Sequence, residues 1–186
     1  MSQSGAFIAR LTNDRHFGPG ERARIRAFAG QGVDESVLAF DLFTGLWWRV
    51  RDKSGTPREV VWLVTKLYAA CPLPLVRPER GEGPLLAQLL GRCEPQKPDD
   101  KDRHRGRFDA LLSTPLAGLG PNLRWALSIA RHSVATRRAQ GLDWVQLSDD
   151  LSVWDRGEEH RGQSDVREEW AKQYLASVRQ SQEKET

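Results

Sequence analysis

An all-α fold is predicted for this chain of 186 residues by three features of its sequence. Residues that start helices recur along it, namely Pro19, Pro57, Asp143 and Ser164. Between stretches rich in Gly and Pro, apolar residues repeat at the three- and four-residue spacing of a helix face. The alternation of apolar and polar residues that marks a half-buried strand never extends over a useful length. We therefore expect two small helical lobes, a group of N-terminal helices followed by a C-terminal helical bundle.

The N-terminal lobe is predicted to comprise residues 1–92. Its predicted helices cover residues 6–13, 19–29, 34–43, 57–71 and 84–90. Pro19 suits the first turn of a helix, and Asp34 is a residue type that caps one. Thr56 and Glu59 have the spacing of a capping box, which opens the apolar run that follows. The β-branched residues of that run are also typical of a strand, but its length and start signals favour a helix buried on most sides.

A polar segment that contains two prolines separates the lobes. We expect a linker over residues 93–102 for that reason, a bundle over 103–180 and a tail over 181–186. The predicted helices of this second part cover residues 101–112, 121–139, 144–154 and 165–179. Asp143 and Ser164 are the expected caps of the last two helices.

The composition argues against several classes of protein. The mean hydropathy is −0.58, and no apolar run approaches the roughly 18 to 20 residues of a membrane-spanning helix. The first residues lack the basic and apolar segments of a secretory signal, so a cytoplasmic location is expected. Cys71 and Cys93 have no C-x-x-C partner, and they predict buried reduced thiols rather than a zinc site or a disulfide framework.

Motifs that would indicate catalysis are missing from the sequence. It contains no phosphate-binding loop, nucleophile elbow or H-E-x-x-H motif. The four histidines are scattered, and His132, which lies among arginines, is expected on a polar or phosphate-contacting face. The acidic pairs at 149–150, 158–159 and 168–169 are interpreted as solvated or protein-facing rather than metal-binding. We accordingly expect no catalytic residue, no metal site and no cofactor.

Positive charge is concentrated in the first three quarters of the chain. Arginine supplies 22 of the 28 basic residues, which suits phosphate contacts, although a GC-rich genome produces the same bias. Residues 103–140 contain seven arginines and one acidic residue, Asp109, whereas residues 141–186 carry a net charge of −5. This separation predicts one face for a polyanion and another for protein.

The predicted helix over residues 121–139 has two stripes. Leu123, Leu127, Ala130 and Val134 form its apolar stripe. Arg124, Arg131 and Arg138 recur every seven residues and form a basic stripe along the border, with Arg137 near the helix end. We interpret the basic stripe as a track for phosphates; the alternative is arginines that cover the edges of the core.

Seven tryptophans divide into two groups. Trp62, Trp125, Trp144, Trp154 and Trp170 occupy apolar helix positions and are predicted to lie in the core rather than to stack on bases. Trp47 and Trp48 fall in a turn between helices and are the better candidates for a surface contact with protein or nucleic acid.

A pattern of Asp, Trp and Leu marks the C-terminal third. Residues 141–147 (GLDWVQL) are followed by Asp150-Leu151 and by Trp154-Asp155. Upstream lie an arginine–aromatic–leucine segment at 107–112 and a basic helix at 123–132, with shorter similarities at 20–26 and 40–48. Taken together, these segments resemble the CasB family, the small subunit of the type I-E CRISPR surveillance complex Cascade.

The resemblance implies an all-α, non-catalytic subunit that functions in antiviral defence. Two copies would lie together in the complex, in contact with its RNA-bound backbone subunits and its large subunit. Basic residues would hold the target DNA and the displaced strand that the guide RNA opens. The positions that match basic sites of the family are Arg26, Arg58, Arg107, Arg131 and Arg156. A subunit of this kind needs basic grooves but no base-specific contacts, because base pairing with the guide reads the sequence.

The residues themselves leave two other functions open. A free-standing, sequence-specific DNA-binding regulator would need a tight turn before a recognition helix, and residues 117–120 before Pro121 have that composition. A helical enzyme whose site has no familiar motif is the other alternative.

Overall fold

The structure is a computed structural model that describes residues 4–32, 55–76, 84–137, 139–156 and 165–183. Within these ranges the chain is all-α, as predicted, apart from an isolated parallel bridge between Leu75 and Leu142. The α-helices are α1 (Gly5–Leu11), α2 (Pro19–Arg26), α3 (Arg58–Ala70), α4 (Leu86–Arg92), α5 (Pro98–Ser113), α6 (Gly120–Ala135), α7 (Trp144–Ser152) and α8 (Val166–Glu183). A 3-10 turn, Leu116–Gly118, connects α5 to α6.

Several helix boundaries differ from the prediction: α2 ends at Arg26, α4 covers Leu86–Arg92, and α8 continues to Glu183, into the predicted tail. Two further differences have local reasons. Helix α6 ends at Ala135 rather than 139, because Arg137 adopts a left-handed conformation with φ 58°, which stops a helix. Helix α5 begins at Pro98, inside the predicted linker, with Asp99 and Asp100 in its first turn. The predicted helix over 34–43, the turn at Trp47–Trp48 and the cap at Ser164 lie outside the described residues.

The start of α3 differs from the predicted capping box. The helix begins at Arg58, and no side chain caps its first turn. The Thr56 hydroxyl instead forms a buried hydrogen bond of 2.8 Å with the hydroxyl of Ser4. The capping-box prediction is therefore wrong, because the Thr56 side chain hydrogen-bonds to Ser4, a residue distant in the sequence, and not to the first turn of α3.

Helix α3 forms the centre of the core. It contacts α1, α2, α6 and α7, which explains why its apolar residues cover most of its circumference. Val60, Val61 and Val64 are fully buried, and the strand-like composition of this run thus reflects burial within a helix. From α6, the predicted apolar stripe is confirmed: Leu123, Leu127 and Ala130 are buried, and Val134 is half-buried.

Helices α4 and α8 cross at close range. A Cβ atom on Gly91 would overlap the Tyr174 carbonyl oxygen and lie 3.0 Å from Ser177 Cβ, so only glycine fits at the crossing. Helix α4 also packs against α6. The division of the chain at residues 93–102 stays a prediction, but in the part that the structure describes these contacts connect helices on both sides of it.

A buried carboxylate joins α5 to α8. Glu94 accepts hydrogen bonds from Arg105 Nε at 2.6 Å and from the Tyr174 hydroxyl at 2.7 Å. Burial by itself would raise the pKa of Glu94, but these two hydrogen bonds and the nearby charge of Lys101 outweigh it and lower the pKa. Arg105 therefore has a structural partner.

Helix α7 is capped as predicted. Asp143 Oδ1 accepts hydrogen bonds from the backbone N–H groups of Val145 at 3.0 Å and Gln146 at 2.9 Å. The expectation that the acidic pair at 149–150 is solvated or protein-facing is wrong for Asp150, which is half-buried and accepts hydrogen bonds of 2.7 Å from the Gln146 amide and the Trp170 indole. Burial raises the pKa of Asp150 to about 6.

Candidate nucleic-acid interface

The exposed face of α6 is bordered by two rows of side chains. At about 100° per residue, Arg124 and Arg131 lie within about 20° of each other on one border. Trp125 and His132 lie about 100° further round, on the other border. Both arginines are exposed, whereas Leu123 and Leu127 beside them are buried. The backbone positions of these two arginines are therefore about 10 Å apart along one edge of the helix.

The first of these arginines borders a small groove, with a volume of about 30 Å³, that three helices form. Arg26 from α2, Lys66 from α3 and Arg124 from α6 line it, and Leu63 and Ala70 form part of its wall. The Arg124 guanidinium donates a hydrogen bond of 3.4 Å to the Ala29 carbonyl oxygen, which is longer than a strong hydrogen bond. We call Arg26, Lys66 and Arg124 the cationic groove.

Lys66 is a member of this groove that the sequence analysis missed. It donates a hydrogen bond of 2.7 Å to the Gln31 carbonyl oxygen, and its ammonium lies 5.4 Å from the centre of the Trp62 ring. These contacts fix its position beside α2. The signal in the sequence is a lone lysine within an apolar helix, on the side where the helix meets solvent.

Arg131 continues the row toward the end of α3. The Cys71 thiol follows α3 directly and lies within the influence of the Arg131 charge. Burial raises the pKa of Cys71, and the positive charge of Arg131 opposes that rise. The row on α6 therefore runs along the side that faces α3.

Arg107 lies at the opposite border of α6. Its guanidinium is 5.8 Å from the centre of the Trp125 ring, and both it and Arg103 line an open cleft between α5 and α6. Arg107 and the cationic groove consequently flank the exposed face of α6 from its two sides.

The other predicted basic sites are dispersed. Arg58 is half-buried at the start of α3, Arg137 is exposed just after α6, and Arg156 is exposed just after α7. Arg138 lies outside the described residues. Among the predicted arginines that the structure describes, Arg26 and Arg124 line the same groove. The role of each predicted arginine stays a prediction.

Several other arginines have acidic partners. Arg22 pairs with Asp14 at 2.7 Å, and Arg105 pairs with the buried Glu94. Arg103 lies 3.6 Å from Asp100, in a pair whose side chains are largely exposed and therefore weakly coupled. Arg22 and Arg105 are therefore engaged with carboxylates of the protein itself.

Four of the five tryptophans predicted for the core are buried, and each indole N–H has an acceptor. These acceptors are Gln31 O for Trp62, Leu73 O for Trp144, Thr114 O for Trp154 and Asp150 Oδ2 for Trp170. Trp125 is only half-buried, so the prediction is incomplete for that residue.

The histidines and cysteines differ in burial. His104 is buried and contacts the Leu90 carbonyl oxygen at 3.2 Å through Nε2, whereas His132 is exposed, as predicted, in a cleft of about 510 Å³ between α4, α6 and α8. Cys71 is buried and Cys93 half-buried, and neither forms a disulfide. Among the residues that the structure describes, no group of three or more His, Cys, Asp or Glu side chains is arranged to hold a metal ion, and no helix has the length and apolar character needed to cross a bilayer.

Comparison with solved structures reveals the same fold in two proteins. The crystal structure of CasB from M. ruber aligns with a TM-score of 0.71 at 21% sequence identity, covering 100% of this chain and 99% of that one. A CRISPR-associated protein of the Cse2 family from Thermus thermophilus aligns with a TM-score of 0.65 at 22% identity, covering 95% of this chain and 99% of the other. A comparison with curated proteins found no match.

One family model matches most of the sequence. The model of CRISPR-associated protein Cse2 matches residues 21–175, a range that extends from within α2 to the middle of α8 and includes all of the cationic groove. This match and the shared helical architecture lead to one conclusion: the chain belongs to the Cse2 (CasB) family of CRISPR-associated proteins.

Proposed function

We propose that the protein is a non-catalytic small subunit of a Cascade complex that stabilises target DNA and the displaced strand after the guide RNA has opened the duplex. Membership of the Cse2 family supports the protein's place in such a complex. The observation that carries the DNA-holding role is the cationic groove, where Arg26, Lys66 and Arg124 converge from three helices.

The chemistry of the groove suits a nucleic-acid backbone. Its charged groups are an ammonium and two guanidiniums, which contact phosphates of any sequence. Arg131 extends the positive charge along α6. Because R-loop formation exchanges one duplex for another of similar stability, a few such contacts are enough to favour the open state.

The pairing of two copies and the contacts with backbone and large subunits rest on the family resemblance. The charge distribution supports a separate surface for protein contacts, because the segment from 141 to 186 carries a net charge of −5 and the preceding region is basic. We assign the acidic part to protein contacts and the basic part to nucleic acid.

The start of α6 does not favour a sequence-specific regulator. A recognition helix reads bases with side chains of its first turns. Here Leu119 and Leu123 are buried, and the Asn122 amide is hydrogen-bonded to Thr114 Oγ1 at 2.9 Å. These residues stabilise the connection to α5, so their side chains are engaged within the protein.

The test is retention of target DNA by rebuilt complexes. We expect Arg26→Ala, Lys66→Ala and Arg124→Ala together to leave the assembly of the guide complex intact and to weaken target retention, with the largest difference from the wild type at low salt. For every phosphate that the protein no longer neutralises, the slope of log K against log salt concentration should become shallower by about 0.7 for single-stranded DNA.

A matched variant controls for net charge. Arg15→Ala, Arg24→Ala and Arg92→Ala remove three exposed positive charges outside the cationic groove and should leave retention near the wild-type level. Equal loss in the two triple variants, or unchanged retention when the groove is neutralised, would contradict the proposal.

A further inference from the structure

An open cleft between α5 and α6 combines an aromatic ring with two arginines. It has a volume of about 490 Å³ and lies on the far side of the exposed face of α6 from the cationic groove. The residues that matter here are Asp100, Arg103, His104, Gly106, Arg107 and Trp125, all of which line it.

The Trp125 ring is held in place from within. The buried His104 ring meets it edge-on at 5.3 Å between centroids, and His104 stacks in turn on Tyr174 at 6.0 Å. His104 is itself fixed by its contact with the Leu90 carbonyl oxygen. Trp125 is therefore a half-buried ring on a rigid support, which a stacking platform requires.

Positive charge stands at the mouth of this cleft. Arg107 is exposed and lies over the Trp125 ring, in a cation–π contact. Arg103 is 77% exposed, and its pairing with Asp100 is long and solvated. Both side chains can change rotamer without disturbing the core.

Open space lies above Gly106, in the middle of α5. A Cβ atom built at this position has no neighbour within 4 Å. The cleft is consequently open to solvent along the wall that Gly106 forms, and a planar group has room to enter beside Trp125.

We propose that this cleft binds one unstacked nucleobase of single-stranded DNA, with the base stacked on Trp125 and the adjacent phosphates on Arg103 and Arg107. Arg107 withdraws from the ring by a rotamer change and contacts the backbone instead. An aromatic ring accepts the face of any base, so the site adds affinity without sequence preference. Paired and stacked bases of a duplex cannot enter, and the site therefore selects single strands.

This inference rests on the proposed function and deepens it. The cationic groove attracts DNA in either form, whereas the Trp125 cleft distinguishes the displaced strand from duplex. The two surfaces are separated by the exposed face of α6, so each can be changed without altering the other.

The first experiment measures binding of a short oligothymidine and of the same strand with abasic positions. We expect Trp125→Leu, which keeps an apolar side chain but lacks a ring, to weaken binding of the intact strand about five-fold or more. Trp125→Phe should retain most of the affinity. Neither variant should change affinity for the abasic strand, and neither should change the salt slope, because the phosphates keep their arginine partners.

A second variant tests the cleft without touching the ring. Gly106→Leu places a side chain in the open space and removes a glycine from a helix, so it should fold at least as stably as the wild type. We expect it to weaken single-strand binding to a similar degree. Gly106→Ala is its control and should bind nearly as the wild type does.

The outcomes separate this inference from the proposed function. The base site would be overturned if Trp125→Leu and Gly106→Leu bind the intact strand as tightly as the wild type does. It would also be overturned if these variants lose affinity equally for the intact and abasic strands. Equal loss in Trp125→Leu and Trp125→Phe would overturn it too, since repacking would then account for the effect. A further outcome is possible: the triple variant of the cationic groove loses binding to both strands, whereas the Trp125 variants bind as the wild type does. That result would support the proposed function and contradict the base site.

Discussion

At the scale of single residues, Asp150 is held in a site that disfavours its charge. It accepts hydrogen bonds from Trp170 and Gln146, but burial dominates and raises its pKa to about 6. The nearby carboxylates of Asp149 and Asp143 act in the same direction. The ionised form is therefore less favourable in the folded protein than in the unfolded chain.

The first prediction concerns the effect of pH on stability. For an acid whose pKa is raised on folding, the folded state binds more protons between the unfolded and folded pKa values, here about 4 and about 6. The contribution of Asp150 to the free energy of unfolding should fall as pH rises through this window, by up to about 3 kcal/mol.

Comparison with Asp150→Asn isolates that contribution from the other carboxylates. Urea unfolding of both proteins between pH 4 and pH 7 should show the variant gaining stability relative to the wild type as pH rises. A stability difference that does not vary with pH would refute the assignment.

Other residues owe their roles to partners far along the chain. Thr56 has the type and position of a capping residue, yet it hydrogen-bonds to Ser4. Glu94 was predicted only as part of a polar linker, yet it connects Arg105 and Tyr174. In both cases the sequence indicates what the side chain is able to do, and the neighbour that it meets decides what it does.

At the scale of helices, the crossing of α4 and α8 depends on one glycine. Gly91 allows the backbone of α8 to approach α4 at Tyr174 and Ser177 more closely than any other residue type would. The short helix α4 is fixed by this contact and by its packing on α6.

The second prediction is that Gly91→Ala destabilises the protein. The added methyl group must push α8 away, and overpacking of this kind costs about 1–3 kcal/mol, more than the gain of up to about 1 kcal/mol from the better helix propensity of alanine. Thermal unfolding followed by circular dichroism measures the difference.

Gly106→Ala provides the matched comparison, because it also replaces a helical glycine but adds its methyl group in open space. This variant should be stabilised by up to about 1 kcal/mol. Equal effects in the two variants would show that the α4–α8 crossing tolerates a side chain at residue 91.

Helix α6 illustrates how far an element can be predicted alone. Its apolar stripe and the exposure of Arg124 and Arg131 followed from periodicity. Its end did not, since nothing in the local sequence resembles the glycine that usually follows a helix, and Arg137 takes the left-handed conformation instead.

At the scale of the whole molecule, positive charge reaches the surface on both sides of α6. The cationic groove lies on one side, and Arg103 and Arg107 lie on the other. Side chains of this kind contact a nucleic-acid backbone without reading its bases.

The third prediction is that the isolated protein binds DNA weakly and electrostatically. Dissociation constants should fall in the range of about 10⁻⁴ to 10⁻⁶ M at physiological salt, as is typical of non-specific contacts, and should change little with sequence. Titration of labelled oligonucleotides at several salt concentrations measures both properties. Affinity that does not change with salt, or one sequence bound far more tightly than the others, would contradict the prediction.

The sequence alone determined the helical architecture, the cap at Asp143, the apolar faces and the family resemblance. It did so because start signals and helical periodicity arise within a few residues of one another. The resemblance likewise depends on short segments that can be compared without knowing how they pack.

Only the tertiary structure decided which surface residues meet. Arg26, Lys66 and Arg124 are separated by 40 and 58 positions in the chain, and they share a groove because α2, α3 and α6 pack around one core. Trp125 was assigned to the core by its helical position and is instead a half-buried ring beside Arg107. Periodicity places a residue on a face of its own helix, but the neighbouring helices determine whether that face is covered or remains open to a ligand.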